Sequence, residues 1–190
     1  VRASKIIKSA IPPRYTQALL EHGHIERCSP NQICGSTFLF CNVELAKERA
    51  RIIQWNRDVN DYMAPPPFAV SFKSIHDRRQ LVWKGACAAT CDFKSYYAQF
   101  ELHPHVRSRF GCRLPVVNAF GVVVYDYFRM FVAPTGLAHM PFSAIALTDH
   151  LLAFDMQCNV HDSQIDNVLF VGDTEASVAN TLAEFYQRAD

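Results

Sequence analysis

The sequence predicts an α+β fold in which antiparallel strand pairs and helices occupy separate stretches of the chain. Short apolar segments with strand character come in neighbouring pairs, and a turn residue or a charged connector separates the two members of each pair. Helical segments are mixed with these pairs, without the regular βαβ alternation of a parallel sheet. Together these two observations favour antiparallel sheets backed by helices.

Length and composition are those of an ordinary globular chain. At 190 residues, 49% of them hydrophobic, the chain can form one domain with a full core, or two small subdomains that share one. Its apolar runs are too short to span a bilayer, so we expect no membrane contact. Val1 is not a start methionine and no leader pattern follows it, and the last residues resemble a helix that runs off the end. We therefore expect a fragment of a larger protein.

The first third of the chain predicts a helix followed by two strands. Residues 1–10 are expected to be a loose lead-in. IPPRYTQALLEHGHIERC predicts a helix that begins at its prolines and stops at Gly23. TFLFCNVEL and RARIIQWNRDVN are predicted strands joined by the charged connector AKER.

The middle of the chain predicts a helix and then a buried strand. APPPFAVSFKSIHDRR opens with prolines and puts Phe68, Phe72 and Ile75 on one helical face. ACAATCDF is a short apolar run between polar residues, which is typical of a strand buried on both sides. KSYYAQF, which follows it, predicts a helical turn.

The last part of the chain predicts two strand pairs and two helices. VVNAFGVVVYDYFRMFVAP predicts two strands about Gly121, and MPFSAIALTDHLLAFDM a long, mostly buried helix. VHDSQIDNVLFVGD alternates apolar and polar residues and predicts a hairpin whose turn falls at Asp166–Asn167. A last helix is expected to begin near Asp173 or Thr174, either of which can cap it.

Charge and cysteine content bear on partners and compartment. Residues 1–60 hold nine basic and five acidic side chains, whereas residues 161–190 hold one and six. This asymmetry suits a protein that touches phosphate with one part and a metal with another, although scattered surface charge explains it as well. The seven cysteines include no CxxC pair, so we expect reduced, mostly buried thiols and an intracellular protein, in the cytoplasm or the nucleus. No spacing of histidine and cysteine supports a zinc site.

Two aspartates are the candidates for chemistry. Asp92 follows the apolar run ACAATC, and Asp166 lies in the turn of the predicted hairpin. Two carboxylates on rigid strand ends are what a hard cation such as Mg²⁺ requires, with water and substrate phosphate as its other ligands. Taken singly, each aspartate is better explained as a turn or cap residue, and it is the order of the motifs that favours a metal site.

The order of the motifs resembles that of a known family. LLEHGHIERCSPNQICGSTFLF resembles the start of the fingers subdomain in retroelement reverse transcriptases, and RARIIQWNRDVN is similar to their next fingers strand with its Arg-x-x-Asn element. CDFKSYYAQFEL is similar to the first catalytic motif, FRMFVAPTGLAHMPFSA to the second and SQIDNVLF to the Asp-Asp hairpin of the third. The blocks keep the family's order and cover about residues 14–175. The closest resemblance is to retrotransposons of the long-terminal-repeat or tyrosine-recombinase type.

The resemblance implies a fingers–palm fold and a metal site. It implies an RNA-directed DNA polymerase with an antiparallel palm sheet backed by helices and no thumb. Asp92 and Asp166 would be the catalytic carboxylates and would bind Mg²⁺, with Mn²⁺ as an alternative ion. The carbonyl of Phe93 and the side chain of Asn167 would complete the metal ligands.

The resemblance also implies roles for residues that contact nucleotide and template. The residues that would bind the deoxynucleoside triphosphate are Arg51, Lys47, Tyr97, Thr135 and Gly136. Tyr97 matches the aromatic residue that excludes a ribose 2′-hydroxyl, and Gln99 and Arg57 would contact the template–primer. Read without the resemblance, these are a core tyrosine, surface cations and a turn glycine.

Departures from the family pattern leave a second interpretation open. Gln164 stands where the family has an aromatic residue before the catalytic hairpin, and Asn167 replaces the second acid. We expect weakened or retuned activity, or else an inactive domain that binds RNA or serves as a scaffold. An RNA-templated RNA polymerase is disfavoured because Tyr97 is not a small residue.

The resemblance also divides the chain and names its partners. Residues 1–60 would hold the N-terminal helix and the fingers strands, 61–85 a helix and connector, and 86–190 the palm, with fingers and palm sharing one core. The partners would be an RNA or DNA template–primer, the nucleotide, and the thumb, connection and ribonuclease H segments of a parent polyprotein.

Overall fold

A computed structural model of the chain describes residues 6–44, 49–65, 72–158 and 160–189. In chain order the elements are β1 (Ile6–Ser9), α1 (Pro13–Glu21), β2 (Ile25–Arg27), β3 (Phe38–Glu44), β4 (Arg49–Trp55), α2 (Arg57–Tyr62), α3 (Ile75–Val82), β5 (Cys87–Asp92), α4 (Pro104–Arg107), β6 (Gly111–Val117), β7 (Val123–Met130), α5 (Met140–Leu151), β8 (Val160–Gln164), β9 (Asn167–Gly172) and α6 (Glu175–Ala189). Every strand pairing among them is antiparallel. The structure is therefore a mixed one of helices and antiparallel sheets, which is compatible with the predicted α+β class.

The chain divides into two units, the first of which contains two sheets. It comprises Val1–Pro65 and Tyr97–Met140. Its sheets have the strand orders β1-β3-β4 and β2-β7-β6. The inward side chains of β6 and β7 supply much of its core, in which Phe128 and Met130 are completely buried. Alternation along β7 explains this, because every second residue of a strand faces the same side.

The second unit is built on one sheet. It comprises Pro66–Tyr96 and Pro141–Asp190, and its strand order β5-β9-β8 places β9 in the centre. Its core contains Phe170 from β9 and Phe185 from α6, whose rings meet edge to face with centroids 5.5 Å apart. Both rings are fully buried, so α6 is held on the sheet by aromatic packing.

Several predicted elements are confirmed. Helix α1 begins at the predicted prolines and is followed by Gly23, whose φ of +67° suits a glycine that ends a helix. Strands β6 and β7 flank a turn in which Gly121 has a φ of +75°. Thr174 caps α6, since its Oγ1 accepts a hydrogen bond from the backbone N–H of Ser177 at 3.1 Å. Strands β3 and β4 also form as predicted, and so does the β8–β9 hairpin, except that its turn falls at Ile165–Asp166 and not at Asp166–Asn167.

The lead-in prediction for residues 1–10 is wrong for its second half. Residues 6–9 form β1, which pairs with β3 so that Ile7 lies opposite Val43. Strand β1 thus provides hydrogen-bond partners for the backbone groups of β3 on the edge that does not pair with β4. The connector AKER lies outside the described residues.

The helix predicted from the prolines at residues 65–67 starts later. Helix α3 begins at Ile75, where Ser74 and Asp77 form a reciprocal capping box: Oγ of Ser74 accepts from the N–H of Asp77 at 3.2 Å. Phe72 precedes the helix, Ile75 is 71% exposed, and Phe68 lies outside the described residues. The predicted apolar face is therefore not observed.

Three other expectations need correction. Strand β5 is not buried on both sides: only alternate residues turn inward, and Cys91 alone is fully buried. Residues 57–60, predicted as strand, begin α2, because β4 ends at Trp55 and Asn56 occupies the N-cap position. Helix α5 buries one face, through Ala144 and Thr148, and ends at Leu151.

The state of the cysteines matches the prediction made from the sequence. All seven cysteines are free thiols, four of them buried, as predicted. Within the described residues, no helix combines the length and the hydropathy needed to cross a membrane.

Candidate active site

Asp166 is presented by the tight turn of the β8–β9 hairpin. The turn consists of Ile165 and Asp166, and Gln164 pairs with Asn167 on either side of it. Ile165 has a φ of +58°, a conformation that β-branched residues rarely adopt. The carbonyl of Ile165 accepts a hydrogen bond at 3.0 Å from Oγ1 of the buried Thr148. Helix α5 thus holds the hairpin turn through the hydrogen bond from Thr148.

Asp92 lies beside this turn on the adjacent strand. It is the last residue of β5 and stands opposite Asn167 in the antiparallel register. The backbone N–H of Phe93 donates to the carbonyl of Asp166 at 2.9 Å, which extends the pairing by one residue. The two predicted carboxylates therefore belong to neighbouring strand ends, Asp92 exposed and Asp166 half-buried.

Asn167 interacts with the carboxylate it follows. Its Nδ2 donates a hydrogen bond to Oδ1 of Asp166 at 3.1 Å. One lone-pair direction of that carboxylate is therefore occupied by a neutral donor. An acid at this position would instead repel the Asp166 carboxylate unless a cation lay between them.

The donor set at this place fits a hard cation. It consists of oxygen atoms: the carboxylates of Asp92 and Asp166, with the carbonyl of Phe93 and the amide of Asn167 as further candidates. Mg²⁺ and Mn²⁺ prefer such ligands and take the remainder from water or phosphate. Among the described residues, no group of three or more His, Cys, Asp or Glu side chains is arranged to hold a metal. The candidate centre is thus a two-carboxylate site.

Tyr96, which the sequence did not single out, is linked to the hairpin turn through Thr148. Tyr96 is buried, and its hydroxyl lies 2.8 Å from both the carbonyl of Ala144 and Oγ1 of Thr148. Its ring stacks on Phe93 with centroids 4.6 Å apart. Burial raises the pKa of Tyr96, and the charges of Asp166 and Asp149 add to the rise. Tyr96 therefore stays a neutral hydrogen-bonding group; its place as the first tyrosine of KSYY was the only signal for it.

A second unpredicted network anchors strand β8. Asp162 is nearly buried; Lys73 lies 3.1 Å from its Oδ1, and Nε of Arg78 lies 2.9 Å from its Oδ2. Nη1 of Arg78 also donates to Oε1 of Gln164 at 2.8 Å. Arg78 therefore binds two residues on the same face of β8 and ties α3 to the hairpin. Gln164, the departure from the expected aromatic residue, is one of its acceptors.

The predicted triphosphate-binding cations lie in the first unit. Arg51 is on β4, more than half exposed, and its Nε lies 3.1 Å from Oε1 of Glu44 on the neighbouring strand. Lys47 lies outside the described residues. The structure thus gives Arg51 a cross-strand ion pair, and its nucleotide-binding role stays a prediction.

Thr135 and Gly136 form a loop clamped by polar side chains of the same unit. The N–H of Thr135 donates to Oε1 of Gln54 at 2.7 Å. Asn60 donates to the carbonyl of Gly136 at 2.9 Å and accepts from the N–H of Ala138 at 3.0 Å. Asn60 is the last residue of the Arg-x-x-Asn element. In the structure this element therefore holds the Thr135–Gly136 loop by hydrogen bonds.

Gly136 is required for the close approach of this loop. A Cβ atom there would overlap the carbonyl oxygen of Gln54 and come within 3.0 Å of Nδ2 of Asn56. Asn56 is completely buried and accepts a hydrogen bond from Oγ1 of Thr37 at 2.8 Å. Gln54, Asn56 and Asn60 were not predicted as site residues, although QWNRDVN is rich in amides.

The three remaining predicted residues belong to the first unit as well. Tyr97 is half-buried and packs against the core cluster of that unit. Gln99 is exposed at the end of the helical turn Tyr96–Gln99. Nε of Arg57 lies 3.6 Å from Oδ2 of Asp61, one turn later on α2. These positions leave the predicted contacts with nucleotide and template as predictions.

Comparison with known proteins adds no assignment. The chain matches no model of a protein family, and no curated protein matches it significantly.

Proposed function

We propose that this chain is the fingers–palm part of an RNA-directed DNA polymerase, which transfers a nucleotide from a deoxynucleoside triphosphate to the 3′-hydroxyl of a primer. The observation that supports this proposal is the strand register at the candidate site. Asp92 stands opposite Asn167, and Phe93 bonds to the backbone of Asp166, so two carboxylates far apart in sequence lie on adjacent strand ends.

In this proposal Asp92 and Asp166 bind the divalent cations. When bound, Mg²⁺ would neutralise phosphate charge and align the attacking and leaving oxygens. The chain contributes preorganisation: Thr148 fixes the carbonyl of Ile165, and the Tyr96–Phe93 stack supports the end of β5. The roles predicted for Arg51, Lys47, Tyr97, Thr135, Gly136, Gln99 and Arg57 belong to the proposal on the strength of the sequence resemblance alone.

A second function is favoured by one observation. The amide of Asn167 occupies an oxygen of Asp166 and brings no negative charge to the site. A centre with two carboxylates and this hydrogen bond binds cations more weakly than one with three carboxylates. The alternative is therefore a reverse-transcriptase-like domain that binds RNA or serves as a scaffold without catalysis.

Primer extension tests the first function. The chain is incubated with poly(rA)/oligo(dT) and thymidine triphosphate, first with Mg²⁺ and then with Mn²⁺. We expect extension that is lost in both Asp92→Asn and Asp166→Asn, because either change removes a charged ligand. Asp155→Asn is the matched control, since Asp155 is an exposed aspartate of the same unit outside the site. Extension that survives in both site variants contradicts the proposal.

Metal and RNA binding separate the two functions. Binding of Mn²⁺, followed by electron paramagnetic resonance, should weaken in Asp92→Asn and Asp166→Asn and stay unchanged in Asp155→Asn. Absence of extension with either metal, together with retained RNA binding, would establish the binding module in place of the polymerase.

A further inference from the structure

An aromatic face of the first unit is left uncovered by the described structure. Strands β6 and β7 turn one face to the core and the other to solvent. On the outer face Val123, Tyr125 and Tyr127 follow one another at alternate positions of β7, with exposures of 52%, 53% and 37%. Their partners in the register include Val117 and Arg113 on β6. These five residues are called the tyrosine face.

A cation lies over the two tyrosine rings of this face. The guanidinium carbon of Arg113 is 5.4 Å from the ring centroid of Tyr125 and 5.7 Å from that of Tyr127. Within the described residues Arg113 has no carboxylate partner. The face therefore combines two tyrosine side chains that are partly exposed with a guanidinium whose charge is not neutralised by an ion pair among the described residues.

Two acids on β7 and on its neighbour β2 are paired with other cations. Glu26 lies 2.6 Å from Nε of Arg129, and Asp126 forms an ion pair with Arg27. Asp126 also belongs to the alternate set of β7 positions, on the side opposite the two tyrosines. The outer face is thus electrostatically complementary to an anion.

We propose that the tyrosine face binds single-stranded nucleic acid, with one base stacked on Tyr125, another on Tyr127, and a phosphate held by Arg113. Alternate residues of a strand are about 6.8 Å apart, so each ring can take a separate base. Exposed aromatic side chains interleaved with arginine on a sheet are a general platform for unpaired bases. An apolar protein surface would bury Arg113 without supplying a counter-charge, which costs free energy, whereas a phosphate supplies one.

The proposal goes beyond the proposed polymerase function and does not depend on it. Stacking on the tyrosine face uses neither Asp92 nor Asp166, so it should persist in the variants that abolish extension. The test is fluorescence anisotropy of the chain with a labelled uridine oligonucleotide of about ten nucleotides, with Asp92→Asn measured in parallel.

Three substitutions probe the separate contributions. Tyr125→Ala and Tyr127→Ala should each weaken binding on the order of tenfold, because each removes one stacked base. Tyr125→Phe keeps the ring and should bind as the wild type does. Arg113→Gln should reduce the slope of the salt dependence by about 0.7, the value for one phosphate contact on a single strand. Tyr62→Ala is the matched control, since Tyr62 is an 88% exposed tyrosine on α2 and does not belong to the tyrosine face.

A comparison with an abasic strand keeps the test independent of variant stability. An abasic oligonucleotide of the same length has the same phosphates and no bases, so the wild-type chain should bind it at least tenfold more weakly. Equal affinity for the two strands, or unchanged binding in both alanine variants, would overturn the proposal. Self-association that is lost in Tyr125→Ala, without nucleic-acid binding, would identify the face as an interface with a second copy instead.

Discussion

The amide of Asn167 donates a hydrogen bond to Oδ1 of Asp166, the residue it follows in the β8–β9 turn, with 3.1 Å between the two heavy atoms. The register places Asp92 opposite Asn167, so the amide lies next to both candidate metal ligands. In the proposed polymerase a third carboxylate is expected at this position, whereas the amide of Asn167 donates to Asp166 and adds no negative charge.

Restoring an acid at this position should make the stability of the chain depend on divalent ions. Asn167→Asp removes the hydrogen bond and places a third negative charge beside Asp166 and Asp92, so the variant should have a lower melting temperature than the wild type without metal. Binding of Mn²⁺ or Mg²⁺ should then raise its melting temperature more than that of the wild type, since ligands that bind the native state stabilise it. Differential scanning fluorimetry with and without each ion measures both effects.

The control for this prediction keeps the new charge away from the site. Asn180→Asp adds one acid on α6 of the same unit, where the amide of Asn180 donates to Gln157. It should show no greater response to Mn²⁺ than the wild type. Equal metal responses in Asn167→Asp and the wild type would mean that this turn does not bind cations.

Gly136→Ala should destabilise the first unit. The added Cβ would overlap the carbonyl oxygen of Gln54, which is backbone and cannot move aside as a flexible side chain could. The expected loss is about 1–3 kcal/mol in the free energy of unfolding, the usual range for forced overpacking. Urea denaturation measures it. Gly121→Asn is the comparison: nothing lies within 4 Å of its Cβ position, so its cost is limited to the backbone strain of a positive φ, which asparagine adopts more readily than most residues. A loss in the control as large as that in Gly136→Ala would contradict the steric explanation.

Local sequence patterns predicted the hairpin and the strand that carry the two candidate carboxylates. The alternation in VHDSQIDNVLFVGD gave the hairpin, although the turn proper is Ile165–Asp166 and Asn167 already belongs to β9. The apolar run ACAATC gave the strand that ends at Asp92. Both follow from periodicity and turn chemistry, which act over a few residues.

Contacts between distant segments were not predictable in the same way. Tyr96 meets Thr148 from a position 52 residues earlier, and Arg78 meets Gln164 across 86 residues. Strand β1 has no strong pattern of its own and forms because β3 offers it a free edge. Such pairings depend on how the elements pack, and a single sequence holds no local signal for them.

The stability of the chain should fall at alkaline pH, because the thiol of Cys112 ionises more readily in the unfolded state than in the folded one. Burial, with a contribution from Cys28, raises the pKa of Cys112 from 9.0 to about 12. The unfolded thiol therefore ionises first, so this residue's contribution to stability is full below pH 9.0 and is lost as the pH rises from there towards 12. Urea denaturation across that range should show falling stability, with a shallower fall in Cys112→Ala. A slope unchanged by the substitution would contradict the assignment.

Alkylation kinetics test the same burial independently. Cys34 is exposed, so at neutral pH iodoacetamide should modify Cys34 first and Cys112 only when the chain unfolds. Mass spectrometry of peptides taken during the reaction gives the order of modification. Early modification of Cys112 in folded protein would contradict its burial.

The hydrogen bond between Thr37 and Asn56 should contribute measurably to stability, because both residues are buried. Thr37 is 3% exposed, Asn56 is fully buried, and Oγ1 of Thr37 donates to Oδ1 of Asn56 at 2.8 Å. Asn56→Ala leaves a buried hydroxyl without its acceptor and should cost about 1–3 kcal/mol. Thr37→Val should cost a similar amount, and the double variant less than the sum, with a coupling free energy of about 1 kcal/mol.

The exposed pair Gln17 and Glu21 provides the comparison for this cycle. Nε2 of Gln17 donates to Oε1 of Glu21 at 2.9 Å across one turn of α1. Because water replaces such a bond when it is lost, the coupling free energy there should be about 0.2–0.5 kcal/mol. Urea denaturation of all single and double variants gives both coupling free energies. If the buried pair coupled no more strongly than the exposed one, burial would not strengthen the Thr37–Asn56 hydrogen bond.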